Sequence, residues 1–318
     1  MNIAIVGAGG AGGYFAARWC EASLDVTVIA RGAHLQAVRR NGLRLLSPRG
    51  DVTARPLLAS DPAALASADF VLFATKTWQL ADAAAEAAPH LGAHCLVCGV
   101  QNGVVSAAEL ARAVGADNVL GATCRIISFI EEPGVIRHVG VDPTILIGEL
   151  DGGLSARVEQ LSAALSCGDR LDVVGSPDIV AEIWKKMLFF APVSGVGSLT
   201  GAPIGEFRAD PKGRDLLVAA IAEVAEVARA LAVDLPQDAA ERALAFIDTI
   251  PAEGTSSMQR DFAAGRPTEL EALSGELSRQ GRALGVPTPT HDLVCDTLRP
   301  RDQAARSAAG ANLRDHDR

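Results

Sequence analysis

Gly7, Gly9 and Gly12 follow the apolar run Ile3 to Val6 at the spacing GxGxxG, with Ala8, Gly10 and Ala11 between them. A strand that runs through such a loop into a helix can bind a dinucleotide. One glycine permits the tight turn, one lets the backbone approach the pyrophosphate, and one lets helix and strand pack closely. The helix N-terminus then presents N–H groups to the anion. The next apolar strand, Val26 to Ala30, ends at Arg31 rather than at Asp or Glu. A carboxylate there would suit the ribose hydroxyls of NAD, whereas a guanidinium suits the 2′-phosphate of NADP. NADP (as NADPH) is therefore the expected cofactor. Asp25 precedes the strand, so it is poorly placed to serve as a ribose ligand.

Two lysines stand out because the chain has only four, Lys76, Lys185, Lys186 and Lys212, so lysine is not its routine surface charge. Lys76 follows the buried-strand pattern Phe70 to Ala74, and ligands in open α/β sheets gather beyond the carboxyl ends of strands. Asn102 follows the run from Cys95 to Val100 in the same way. It can bridge two ligands, or simply form an Asn-Gly turn with Gly103. Lys186 lies in Glu182-Ile183-Trp184-Lys185-Lys186, which continues into strongly apolar residues. On a helix Glu182, Lys186, Phe190 and Ser194 share one face. Lys186 is either half of a surface pair with Glu182 or an ammonium at the edge of a buried cleft, suited to proton transfer.

The elements that must hold these residues alternate in the first half of the chain. Strand patterns at Ile3 to Val6, Val26 to Ala30, Phe70 to Ala74 and Cys95 to Cys98 are separated by helical segments, as in Tyr14 to Ala22 and His34 to Asn41. That predicts an α/β domain of Rossmann type with a mostly parallel sheet covered on both faces. Further strands are expected at Val135 to Val139, Ile145 to Gly148 and Leu171 to Val174. After Gly175-Ser176-Pro177 the pattern turns helical, with Ser176 a candidate N-cap. Long helices are expected at Leu216 to Val233, with Glu223, Glu226 and Arg229 on its polar side, at Glu241 to Thr249 and at Glu269 to Leu284. The domains expected are residues 1–174, dinucleotide-binding, and 175–300, all-helical and carrying substrate and catalytic residues. Residues 301–318, rich in Arg, Asp and Ala without periodicity, read as a disordered tail.

Composition narrows the function classes. The 318 residues are 49% hydrophobic and 21% charged, a globular balance, with a formal net charge of −9 that does not suit a nucleic-acid binder. No apolar run reaches membrane-spanning length, and the N-terminus lacks the basic flank of a signal peptide. A cytoplasmic protein without nucleic-acid or membrane partners is expected. Cys95 and Cys98 form a CxxC without a second pair, and the six histidines form no ligand motif, so no metal is expected.

Taken in order, the glycine loop, Ala30-Arg31, Lys76 with Trp78-Gln79, Gln101-Asn102-Gly103, the Glu182–Lys186 segment, Ser256-Ser257-Met258-Gln259-Arg260-Asp261 and Thr268-Glu269-Leu270 resemble the ketopantoate reductase (2-dehydropantoate 2-reductase) family. The resemblance runs from Met1 to about Pro289 and implies a Rossmann domain, a helical C-terminal domain, and a cleft holding NADPH and a 2-keto acid. The implied reaction reduces ketopantoate to pantoate on the route to coenzyme A. By position it implies Lys186 as general acid, Lys76 as a cofactor contact and Asn102 as a contact of cofactor and substrate. It also implies Ser257 on the substrate carboxylate and Glu269 on the cofactor ribose. Dimers occur in the family, so a homodimer is compatible.

The chain departs from the family at three substrate positions, where Phe190, Ser194 and Ile204 replace asparagines. Losing matched polar partners costs on the order of 2–5 kcal/mol of discrimination unless something compensates. The alternative expectations are a reductase of a less polar 2-keto acid, or a non-catalytic NADPH-binding sensor.

Overall fold

Alternate residues of strand β1 (Asn2–Val6) enter two different cores, as the period of two along a strand requires. Ile3 and Ile5 join Tyr14, Phe15 and Trp19 of helix α1 (Gly10–Glu21). Ala4 and Val6 join Leu80 and Ala84 of α3 (Leu80–Ala87) and Leu110 of α4 (Ser106–Val114). Strand β6 (Phe70–Phe73) splits likewise, Phe70 and Leu72 to one side, Val71 and Phe73 to the other. Both faces of the sheet are thus covered, which is why its central strands β1 and β6 carry apolar side chains on both sides. The structure is a computed structural model that describes the backbone of residues 1–316 and the side chains of residues 1–309.

The chain divides into two units. The first comprises Met1–Gln101 and Val105–Glu182; the second comprises Asn102–Val104 and the chain from Ile183 onward. The first unit is built on a five-stranded parallel sheet of order β5-β2-β1-β6-β7, with β2 at Asp25–Ile29, β5 at Leu57–Ala59 and β7 at Leu96–Gly99. The strand order reverses at β1, so the loops leaving β1, β2 and β6 share one edge, with Val6 paired to both Ile29 and Phe73. Helix α2 (Gly32–Asn41) follows β2.

The later strands expected from the sequence form and lie in two further sheets. One mixed sheet has the order β4-β3-β10-β9, from β3 (Leu43–Leu46), β4 (Val52–Ala54), β9 (Ser128–Glu132) and β10 (Val135–His138). Another has the order β12-β11-β8, from β8 (Gly121–Arg125), β11 (Thr144–Gly148) and β12 (Asp172–Gly175), with α5 (Ala156–Leu165) before β12. The antiparallel pairs β9–β10 and β8–β11 belong to these sheets and leave the parallel one at five strands.

The second unit is all-helical among the described residues. It holds most of α6 (Ile179–Thr200), then α7 (Ile204–Ala209), α8 (Pro211–Ala230), α9 (Ala239–Thr249), α10 (Ser257–Ala263), α11 (Ser274–Leu284) and α12 (Pro289–His316). Four boundaries and caps differ from the sequence reading. The division falls after Glu182 rather than after residue 174, because the first turn of α6 packs by Ile179 onto Gly121 and Gly148 of β8 and β11. Asp178, not Ser176, caps α6, its Oδ1 accepting from Ala181 N–H at 2.9 Å. Helix α11 begins at Ser274, leaving Glu269 in the turn before it. Finally, α12 continues past residue 300 to His316 where a disordered tail was expected; residues 317–318 lie outside the described residues. Val294, Leu298 and Asp302 are buried one turn apart, so Asp302 occupies the apolar stripe of α12 and hides its periodicity.

Candidate active site

The candidate residues fall into two groups, one in each unit. In the first, Gly7 leaves β1 with its N–H donated to Ile29 C=O at 2.9 Å, and α1 starts at Gly10 with no side chain capping it and no acidic residue in its first turn. The N–H groups around Gly9, Gly10, Ala11 and Gly12 therefore form a positive helix end. Two glycines of the loop are constrained differently. A Cβ on Gly12 would collide with the Gly7 carbonyl and meet Ala74, so this position serves the close packing of helix on strand. A Cβ on Gly9 would meet no protein atom within 4 Å, and its φ of −67° suits any residue. The protein's own packing does not require glycine there, and with Ala8 and Ala11 beside it the loop leaves little side chain in the way of a ligand approaching the backbone.

Arg31 stands at the carboxyl end of β2, as the N-cap position of α2. Its guanidinium is exposed and pairs with Glu86 of α3, Nη2 to Oε2 at 2.6 Å. The sequence reading did not single out Glu86. Lys76 leaves β6 exposed, with Nζ 5.7 Å from the centre of the Trp78 ring. Gln79 turns back to accept the Lys76 N–H at 3.3 Å. Gly7, Arg31 and Lys76 thus share the sheet edge where the strand order reverses, the binding position of open α/β sheets.

In the second unit Lys186, Phe190 and Ser194 follow one face of α6, which continues through Pro192. Lys186 and Phe190 are half-buried, with Nζ 5.5 Å from the ring centre. Phe190 meets Phe189 edge-on, and Phe189 packs on Phe246 of α9. Ser194 is 0% exposed, its hydroxyl without a hydrogen-bond partner among the described residues, and Ile204 is 1% exposed. Of the three positions where the family resemblance led one to expect asparagines, only Phe190 keeps accessible surface. Ser257 opens α10 half-buried, behind the cap Ser256, whose Oγ accepts from Gln259 N–H at 3.1 Å.

Asn102 belongs to this second unit. Its Nδ2 donates to Oε2 of Glu269 at 2.7 Å. Glu269 is buried in a turn whose neighbours are held by Asp302 and Arg306 of α12. Neither of those residues was a sequence candidate, since no periodicity marks that stretch as helix. One signal existed: Asp302 continues the spacing of Val294 and Leu298.

Cys95 and Cys98 are buried free thiols. Burial pushes Cys95 up to about 11 and raises Cys98 further, so neither is a thiolate near neutral pH. Among the described residues no group of three or more His, Cys, Asp or Glu is placed to hold a metal ion, and no helix is long and apolar enough to cross a membrane.

A parallel sheet with a glycine loop at its point of reversal, followed by an all-helical unit, defines a Rossmann-type oxidoreductase fold of the kind typical of NAD(P)-binding proteins. The chain belongs to the ketopantoate reductase (PanE/ApbA) family. Residues 3–152 match Ketopantoate reductase PanE/ApbA, and residues 178–302 match its C-terminal counterpart. A 2-dehydropantoate 2-reductase of Halobacterium salinarum is 32% identical over 94% of this chain and 98% of its own length. The crystal structure of a PanE/ApbA family ketopantoate reductase from Ralstonia eutropha JMP134 superposes with a TM-score of 0.88 at 29% identity, covering 96% of this chain and all 100% of the other. D-mandelate dehydrogenase, solved with NADH and anilino(oxo)acetate, reaches a TM-score of 0.87 over 96% of this chain and 100% of its own; at 21% identity that is a likeness of fold.

Proposed function

We propose that this protein reduces ketopantoate to pantoate with NADPH, Lys186 giving the proton to the carbonyl oxygen. The observation that carries the reading is the Asn102–Glu269 hydrogen bond. It joins two residues 167 positions apart that the family resemblance assigns separately to the ligands. The glycine loop would hold the pyrophosphate, Arg31 the 2′-phosphate, Lys76 a further part of the cofactor, and Glu269 its ribose. When bound, NADPH supplies the hydride for the ketone carbon. Negative charge then builds on the ketone oxygen, and the Lys186 ammonium both stabilises that charge and releases a proton to it. The Ser257 hydroxyl would orient the substrate carboxylate, with Asn102 beside it.

A second reading is favoured by Phe190. Its half-buried ring beside Lys186 offers apolar surface where an amide would bind the substrate's hydroxyl or carboxylate. On that reading the reaction is the same and the preferred substrate is a less polar 2-keto acid. Ser194 and Ile204 are buried and would act on the substrate only indirectly. Steady-state NADPH oxidation with ketopantoate and a panel of apolar 2-keto acids, run beside Lys186→Ala, separates the readings. Strong ketopantoate turnover lost in the variant supports the first; preference for an apolar acid supports the second. No turnover with any 2-keto acid despite tight NADPH binding would sink both and leave a nucleotide-binding sensor.

A further inference from the structure

Asp302 lies in the stretch whose composition reads as a polar tail, yet it is 2% exposed. Its Oδ1 accepts from the Thr268 backbone N–H at 2.7 Å and from the Thr268 hydroxyl at 2.8 Å. Its Oδ2 accepts from Arg306 Nε at 2.6 Å, and Arg306 Nη2 donates to the Thr268 carbonyl at 2.5 Å. The Thr268 hydroxyl in turn accepts from Leu270 N–H at 3.3 Å, while the Glu269 carbonyl accepts from Ala272 and Leu273 N–H, each at 3.1 Å. The backbone groups on either side of Glu269 are thereby committed: the N–H and C=O of Thr268, the C=O of Glu269 and the N–H of Leu270. A glutamate side chain has three rotatable bonds, so its carboxylate is aimed only if the turn beneath it is held.

We infer that Asp302 and Arg306 are positioning residues that aim the Glu269 carboxylate, and through it the Asn102 amide, at the nicotinamide cofactor. The inference rests on the proposed role of Glu269 at the cofactor ribose. Asp302 supplies acceptors for one peptide edge, and the Arg306 fork ties that carboxylate to the opposite edge of the same residue. A planar guanidinium can bridge two acceptors in this way, and an ammonium cannot hold both in the same geometry. A displacement of about 1 Å in a group that contacts ligand is enough to matter at this scale.

The test is a double-mutant cycle read by NADPH titration, with binding followed by nucleotide fluorescence and folding by thermal melting. Arg306 is the position to truncate, because its side chain is 31% exposed and its loss opens no sealed cavity. Arg306→Ala is expected to raise the NADPH Kd about tenfold, the effect typical of coupled neighbours. In a Glu269→Ala background the same change should add nothing. Arg306→Lys should recover part of the loss, and Asp302→Asn should weaken binding as Arg306→Ala does. If Arg306→Ala leaves the Kd unchanged while Glu269→Ala raises it, the positioning role is wrong. Equal weakening in both backgrounds overturns it as well, because Arg306 would then act on the fold at large. If Glu269→Ala binds NADPH as the parent does, the reading of Glu269 fails and this inference fails with it.

Discussion

The ammonium of Lys186 stands 5.5 Å from the centre of the Phe190 ring, one helical turn further along α6. The ring face attracts the cation and shields one side of it from water. The proposed proton donor and the residue proposed to set substrate polarity are therefore a single contact pair, and changing either perturbs the other.

Lys186→Ala is expected to lower kcat by about 10²–10⁴, the usual contribution of general acid catalysis. Lys186→Arg keeps the charge but cannot give up a proton near neutral pH, so it should remain slow. Single-turnover NADPH oxidation measures both. An arginine variant as fast as the parent would show that charge alone is enough.

Phe190→Asn should move the kcat/KM ratio of ketopantoate to an apolar 2-keto acid upward, by about 10–100-fold if the amide gains a hydrogen bond to the substrate. Competition between the two substrates gives the ratio directly. An unchanged ratio removes Phe190 as a specificity determinant.

Arg31→Ala should weaken NADPH by about 10–100-fold, the range for a charged hydrogen bond, and leave NADH binding unchanged. Glu86→Gln should act in the opposite direction, since it frees Arg31 from its 2.6 Å pair, and the difference should shrink at high salt. Titration of both nucleotides at two ionic strengths checks this. Equal loss of NADPH and NADH in Arg31→Ala would refute a 2′-phosphate contact.

Glu223 was expected on the polar side of its helix. It is buried instead, its carboxylate accepting from the backbone N–H groups of Thr290 at 2.7 Å and His291 at 3.0 Å, where α12 begins. Glu223→Ala leaves two buried donors without that acceptor and should cost about 2–4 kcal/mol of stability. Urea unfolding measures it; a loss below about 0.5 kcal/mol, the level of an ordinary surface substitution, would contradict the capping role.

Burial holds the imidazoles of His291, His138 and His34 below their usual value, so each is favoured in its neutral form in the folded protein. His291 Nδ1 lies 3.1 Å from Ser274 Oγ and its Nε2 lies 3.2 Å from the Ala220 carbonyl. The unfolded chain takes up these protons near pH 6.5, the folded one only at lower pH. Stability is therefore complete above about pH 6.5 and falls as the pH drops below it, by up to about 1.4 kcal/mol per pH unit for each histidine. Unfolding curves from pH 8 to 5.5 should show the decline, with a shallower slope in His291→Gln. A slope unaffected by that substitution would mean the folded His291 protonates as readily as the unfolded one.

Local structure was legible wherever it depends on adjacent residues. GxGxxG after an apolar strand marks its own turn and helix start, because these depend on backbone geometry within a few residues, and the apolar run from Val26 to Ala30 already put Arg31 just past the end of its strand. Glu269 was legible by type but not by setting. Its turn is held by Asp302 and Arg306, which are 34 and 38 residues from Thr268. Glu223 was misread for a related reason: its acceptors' partners lie 67 and 68 residues away. A spacing rule sees a charged residue and assigns it to water.

The sequence by itself determined the class of the protein, the glycine loop, the strand–helix alternation and the types of the candidate side chains at the strand ends. These follow from steric limits and side-chain periodicities that act along the chain. Only the tertiary structure decided that Asn102 and Glu269 are hydrogen-bonded and that Asp302 and Glu223 are buried acceptors. It also decided that Ser194 and Ile204 are interior while Phe190 faces Lys186. Hydrogen bonds in a desolvated interior join whichever donors and acceptors the fold brings within about 3 Å. A buried carboxylate is tolerated only where such partners meet it, and no local pattern along the chain specifies those meetings.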